Sequence, residues 1–100
     1  MARFDVYSMP GKQAFYVVDV QADLLGHLST RAVVPLLPLD VIKSPIRDLN
    51  PIFEIDGVRH VFAPQSIATV SVKALGPLKM SLAREHDALT RALDILLTGI

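Results

Sequence analysis

The amino-acid sequence predicts a mainly β fold that finishes in a single C-terminal helix. Three observations carry that expectation. Up to about residue 63 the apolar residues alternate, or run in short blocks between turn residues, as strands do. Asp56-Gly57 separates two such blocks as a two-residue hairpin loop. From Ser81 onward the apolar spacing changes to the 3.6-residue period of an amphipathic helix.

Taken in order, ARFDVYS is the first strand, with Phe4 and Val6 on one face and Arg3, Asp5 and Tyr7 on the other. MPGK reads as a turn, because Pro10 fixes one dihedral and Gly11 permits positive φ. AFYVVDV is a second strand, apolar on both faces except at Asp19. RAVVPLL is a third, and Pro35 suggests that it is an edge strand or carries a bulge. In PIFEI-DG-VRHVFA both loop residues of the hairpin need positive φ, which Asp and Gly tolerate. Counting outward pairs Ile55 with Val58, Glu54 with Arg59, Phe53 with His60 and Ile52 with Val61. Glu54 and Arg59 are then expected to form a solvated cross-strand ion pair. SIATVSVKAL is a last, weaker strand and LGPLKM a loop. In the helix, Ser81 is the expected N-cap, and Leu82, His86, Leu89, Leu93, Leu96 and Leu97 form the apolar stripe. Arg84, Asp87, Arg91 and Asp94 form the polar face, Ile95 lies beside Ala88 and Ala92 off the stripe, and Gly99 ends the helix.

Composition bounds the function. One hundred residues make one expected domain over residues 1–100. Lys plus Arg number 10 and Asp plus Glu 10, so there is no basic excess for direct phosphate contacts with nucleic acid. There are no cysteines, which excludes a disulfide framework and a thiol nucleophile and fits a reducing cytoplasm. MARFDVYSMPGK is not a signal peptide. Pro35, Pro38, Asp40 and Lys43 interrupt the richest apolar stretch, so no membrane span is expected. Apolar residues nevertheless make up 51% of the chain and the mean hydropathy is +0.41. That surplus predicts a symmetric dimer.

The residues offer no active-site signature. There is no Gly-rich phosphate loop, metal-ligand spacing or G-x-S-x-G elbow, and no cofactor, metal or catalytic residue is expected. His86 falls on the apolar helix face, where a histidine is ordinarily a core or interface residue. His27, with Arg31 following, reads as a surface loop. Asp19, between apolar strand residues, is either a perturbed acid or, more commonly, a structural hydrogen-bond acceptor. Two apolar exposures remain: Leu24-Leu25 in the loop after the second strand, and the tip from Ile95 to Ile100. The tip has Asp94 and no Lys or Arg in its last turn, although a helix end already carries partial negative charge.

The motifs V-D-V-Q-x-D-L-L, R-x-V-V-P-L, N-P-I-F-E-I-D-G-V-R-H-V-F and the closing T-G-I, taken together, resemble the CcdB family of toxins over essentially the whole chain. The resemblance implies an SH3-like barrel, built of an antiparallel sheet, a small inserted sheet and one C-terminal helix, in a homodimer. It implies a non-enzymatic activity. Such toxins bind the A subunit of DNA gyrase and trap the enzyme on cleaved DNA. A cognate antitoxin neutralises them, and the pair represses its own operon, so DNA is a partner only through that complex. Carried onto this sequence, the gyrase-binding residues are Leu24, Leu25, Asp94, Leu97, Thr98, Gly99 and Ile100. The best-known members have Trp where Thr98 stands, Phe where Leu97 stands and Asn where Asp94 stands. Two alternatives stay open. One is an endoribonuclease toxin on the same barrel, which needs Arg3, His27, Arg31 and His60 to converge on a groove. The other is a non-toxic homologue that acts only in a repressor complex.

Overall fold

The computed structural model describes residues 2–10, 15–42 and 44–99. Among the described residues seven strands form one antiparallel sheet: β1 (Asp5–Met9), β2 (Phe15–Asp19), β3 (Thr30–Pro38), β4 (Ile52–Ile55), β5 (Val58–Phe62), β6 (Ala68–Ser71) and β7 (Leu78–Ser81). A helix, α1 (His86–Thr98), follows. The strand order is β4-β5-β3-β2-β1-β7, with β6 also on β3. The two ends of that order meet, because Lys79 on β7 forms an ion pair with Asp56 in the β4–β5 turn. The hydrogen bond that the Lys79 ammonium donates to the Asp56 carboxylate raises the pKa of Lys79. The sheet is thus curled into a half-barrel, consistent with the SH3-like barrel that the resemblance implied. The expected smaller sheet is the β4–β5 hairpin, joined to the rest through the C-terminal half of β3.

Strand β3 organises the fold. One edge pairs with β2 from Tyr16↔Leu36 to Asp19↔Val33. Its other edge pairs first with β6, through Val33↔Ala68, and then with β5, from Leu36↔Phe62. Pro35 sits between those two pairings. Its carbonyl accepts from the Ala63 N–H at 3.1 Å, so the missing proline N–H also faces that side, where the strand changes partner. The expected edge position is therefore corrected: Pro35 is central, and it falls at the one junction that needs no donor.

The hairpin register matches the count from the sequence, from Ile55↔Val58 to Ile52↔Val61. Asp56 and Gly57 have φ of 52° and 78°, the left-handed pair that a tight hairpin requires. Glu54 and Arg59 are opposite each other, but they form no ion pair, and Asp56 takes Lys79 instead. The expected MPGK turn lies partly outside the described residues, since Gly11 and Lys12 are among those not described.

The segment read as the loop LGPLKM contains β7, which pairs with β1 through Val6↔Met80 and Tyr7↔Leu78 across a bulge. Gly76 approaches β1 so closely that a Cβ there would lie 2.5 Å from the Ser8 carbonyl oxygen. Glycine was thus a packing requirement rather than a loop signal. Phe4, just before β1, has φ of 72°, a strained value for a bulky residue. Its backbone is tied on both sides, donating to the Asp19 carbonyl at 2.6 Å and accepting from the Leu82 N–H at 2.8 Å.

The sheet has two apolar faces. One carries Phe4, Val6, Val18, Val34, Leu36 and Phe62 and is covered by Leu89, Ala92 and Leu93 of α1. The other is a smaller cluster of Tyr7, Val17 and Val33, which puts Tyr7 in an apolar face rather than in water. The start of α1 also differs from expectation. Ser81 Oγ accepts from the Ala83 N–H at 3.1 Å, but Ser81 is not the N-cap of α1: a 3₁₀ turn, Ala83–Glu85, intervenes with Leu82 at its N-cap, and α1 begins at His86 with Glu85 at its own. A 3₁₀ turn has 3.0 residues per turn, which breaks the phase between Leu82 and the helix. Leu82 is buried while His86 is rotated out, its ring T-shaped against Phe4 with the centroids 5.6 Å apart. Ala92 joins the buried stripe, and Ile95 is half-buried.

Candidate functional site: two exposed leucine elements

Along α1, Leu89, Leu93 and Leu97 follow one another at four-residue spacing, so they share a face. Their exposures are 0%, 7% and 74%. The helix face thus leaves the core toward its C-terminal end, where Leu97 is exposed while Ile95 and Leu96 stay half-buried. Asp94 and Thr98 are exposed beside Leu97, and Thr98 Oγ1 donates to the Asp94 carbonyl at 2.6 Å. Gly99 closes the helix at φ 75°, donating its N–H to the Ile95 carbonyl at 2.9 Å. That left-handed position strains any residue with a Cβ. The last turn has no basic side chain, so Asp94 adds to the negative end of the helix dipole. Ile100 lies outside the described residues.

The second element is the 3₁₀ turn Asp23–Leu25 after β2. Leu24 is 87% exposed, and Leu25 and Leu28 are exposed beside it. None of the three turn residues is buried. Within one chain the structure keeps the two elements apart. Apart from the core, α1 packs mainly on the turns Pro64–Ser66 and Ala83–Glu85, with no comparable packing on Asp23–Leu25.

Of the four residues that ribonuclease chemistry would need, Arg3, His27 and Arg31 border the turn after β2 and His60 does not join them. Arg31 is 4% exposed, donates to the Gly26 carbonyl at 3.0 Å and lies 3.9 Å from the Asp19 carboxylate. Arg3 donates through Nε to the Val20 carbonyl at 3.2 Å, its guanidinium 4.6 Å from the Phe4 ring centroid. His27 is exposed. His60 is buried, its Nδ1 2.9 Å from the Val58 carbonyl and its ring against Tyr16. It pairs with Pro38, whereas Arg31 pairs with Val70 near the other end of β3. At about 3.3 Å per residue that separates the two by roughly 20 Å.

Asp19 is a structural acceptor. It is fully buried, and its Oδ1 accepts from the Gln21 N–H at 3.0 Å. Burial pushes its carboxyl above the usual carboxylate range, against the Gln21 N–H and the Arg31 guanidinium, which pull it down. A depression of about 550 Å³ runs along the exposed side of α1, lined by His86, Asp87, Thr90, Arg91 and Asp94. On the opposite sheet face lies an apolar depression of about 200 Å³, lined by Met9, Phe15, Val17, Val33, Pro35 and Val70 among others. Among the described residues no three His, Asp or Glu are grouped to hold a metal ion, and no helix is long and apolar enough to cross a membrane.

Comparison with known proteins places this arrangement. A search of curated sequences finds no match. Among solved structures, the chain is similar to one described as an endoribonuclease in complex with its cognate antitoxin, from a mycobacterial species. That match has a TM-score of 0.76 at 16% identity and covers 97% of this chain and 92% of the other. At that identity the likeness speaks to the fold. A family model described as CcdB protein matches residues 3–99. The chain belongs to the CcdB family, the toxins of toxin–antitoxin modules.

Proposed function

We propose that this chain is a gyrase poison that binds the DNA gyrase A subunit and holds the enzyme on cleaved DNA until an antitoxin removes it. The observation that carries the proposal is the rise in exposure from Leu89 to Leu93 to Leu97 on one helix face. A helix built only to cover a core would end where the core ends. This one continues for a turn and presents a large apolar side chain, a pattern typical of a contact surface. Leu24 and Leu25 supply a second apolar contact on a separate element.

The mechanism is one of state selection. A two-fold toxin dimer presents each element twice to a two-fold enzyme, and it holds the cleaved state to the extent that it binds that state better than the resealed one. No proton transfer by the toxin is required. The dimer is supported by the apolar surplus of the chain and by the open apolar depression around Phe15 and Val17. A cognate antitoxin neutralises the toxin and, with it, represses the operon; DNA is contacted through that complex, in the cytoplasm.

The test is a supercoiling and DNA-cleavage assay with intact protein and with protein lacking Gly99-Ile100. Trapped cleaved DNA with the first and none with the second is the expected result. Equal inhibition by the truncated protein would contradict it. The endoribonuclease reading draws on the shared fold; the burial of Arg31 and the separation of His60 count against it. Cleavage of a defined RNA by purified protein would restore it. The non-toxic reading draws on Asp94 and Thr98, and a growth test under induced expression separates it from an active toxin.

A further inference from the structure

The motifs V-D-V-Q-x-D-L-L and R-x-V-V-P-L contain four polar residues that exposed leucines do not explain: Asp19, Gln21, Asp23 and Arg31. All four close on one turn. Asp19 Oδ1 accepts the Gln21 N–H at 3.0 Å where the chain leaves β2. Gln21 then works in two directions, its Oε1 accepting from the Ala32 N–H at 3.1 Å and its Nε2 donating to the Leu25 carbonyl at 2.9 Å. Arg31, on the facing strand, has one terminal nitrogen 3.9 Å from Asp19 Oδ2 and donates through the other to the Gly26 carbonyl at 3.0 Å. Asp23 Oδ1 accepts from the Arg3 N–H at 2.8 Å.

We propose that Asp19, Gln21 and Arg31 are positioning residues that hold the Leu24-Leu25 turn in its outward orientation by gripping the carbonyls of Leu25 and Gly26. The turn cannot hold itself. It is three residues of 3₁₀ helix with no buried side chain, and so short a segment gains little from its own hydrogen bonds. Apolar burial does not fix it either. What remains is the grip of side chains rooted in the sheet: Asp19 and Arg31 are both buried, and Gln21 bridges the turn to β3. A buried ion pair is a poor net stabiliser compared with apolar residues of the same volume, so its use here is to orient. The consequence is that the turn is ordered before a partner arrives, which lowers the entropic cost of binding. That consequence for binding rests on the gyrase reading above, whereas the orienting role does not.

Two conservative variants of the full chain test it. Gln21→Glu keeps the acceptor for Ala32 but sets a carboxylate oxygen against the Leu25 carbonyl. Arg31→Lys keeps a cation beside Asp19 but removes the second nitrogen that reaches Gly26. Gln21 is only half-buried, so Gln21→Glu serves should Arg31→Lys fail to fold. Amide hydrogen exchange followed by NMR reads the turn through Leu25, Gly26 and Leu28, whose N–H groups bond to the Ala22, Asp23 and Leu25 carbonyls. The sheet is read through Val18 and Val34, paired across β2 and β3. Turn amides are expected to exchange about tenfold faster or more, with sheet amides unchanged, because loss of one such grip opens the turn locally. Affinity of Gln21→Glu for the purified gyrase A subunit should fall by about tenfold. Unchanged exchange of the turn amides in both variants overturns the orienting role, whatever gyrase does. A loosened turn with undiminished gyrase binding overturns its importance for recognition. If the wild-type protein itself fails to bind gyrase, the gyrase reading falls and the exchange rates alone decide the orienting role.

Discussion

The Asp23–Leu25 turn and the last turn of α1 each push a leucine into solvent, and they do so by opposite constructions. The turn has no buried residue and is gripped from outside by Gln21 and Arg31. The tip is the continuation of a buried helix, half-buried at Ile95 and Leu96, exposed at Leu97 and Thr98, and closed by Gly99. The difference teaches where each element is vulnerable. The turn can be loosened by a change at a buried strand residue beneath it, such as Arg31. The tip depends on the leucines beneath it and on the conformation of its final residue.

The largest effect expected is at the seat of the tip. Leu89→Ala removes a fully buried side chain under α1 and should cost about 2–5 kcal/mol in denaturant unfolding. Leu97→Ala, two turns further along the same face, should change stability by no more than about 0.5 kcal/mol. Equal costs at the two positions would break the distinction between seat and tip. Gly99→Ala should cost about 1 kcal/mol, since its φ of 75° disfavours a Cβ and nothing lies within 4 Å to clash with it.

The support of the turn has a pH signature. The folded-state pKa of Asp19 is raised, chiefly by burial, so the native state holds this proton more tightly than the unfolded chain does. Its contribution is fully present below the ordinary carboxylate pKa of about 3.9 and is lost as pH rises through the higher folded value. The stability of the wild type relative to Asp19→Asn should therefore decline across that window and level off above it. A relative stability that rises with pH would reverse the sign and make the Arg31 attraction dominant. The smallest effect is expected on the solvated face of the hairpin. Glu54→Ala should shift unfolding by no more than about 0.5 kcal/mol, because no ion pair with Arg59 is there to lose.

What was legible in the sequence was mostly local. The Asp56-Gly57 hairpin and its register follow from two residues whose conformational preferences dictate a turn, and Gly99 ends the helix for the same kind of reason. The exposure of Leu24 and Leu25 was legible because apolar residues in a loop have no periodic face to join. What was missed depends on distant chain. Pro35 looked like an edge residue because a sequence does not show that β3 changes partner at that position. Strand β7 looked like a loop because Gly76-Pro77 signals a turn, while its cause was the close approach of β1. His86 and the start of α1 were misphased by one 3₁₀ turn, which alters the period without altering composition. Arg31 is a candidate for chemistry in the sequence and a structural residue in the fold, since its partners Asp19 and Gly26 lie on other elements. Leu97 read as part of the core stripe and as a contact residue at once; the edge of the sheet decides between them, and the sequence does not mark that edge.

The most direct test of the central claim is a binding titration of the purified gyrase A subunit with intact protein and with Leu24→Asp and Leu97→Asp. Both positions are solvent-exposed, so neither charge should disturb the fold, which circular dichroism and unfolding curves on the same samples would verify. The account predicts that the intact protein binds and that each aspartate weakens binding by about thirtyfold or more, the effect of losing a hot-spot residue. Binding by both variants with the affinity of the intact protein would contradict it.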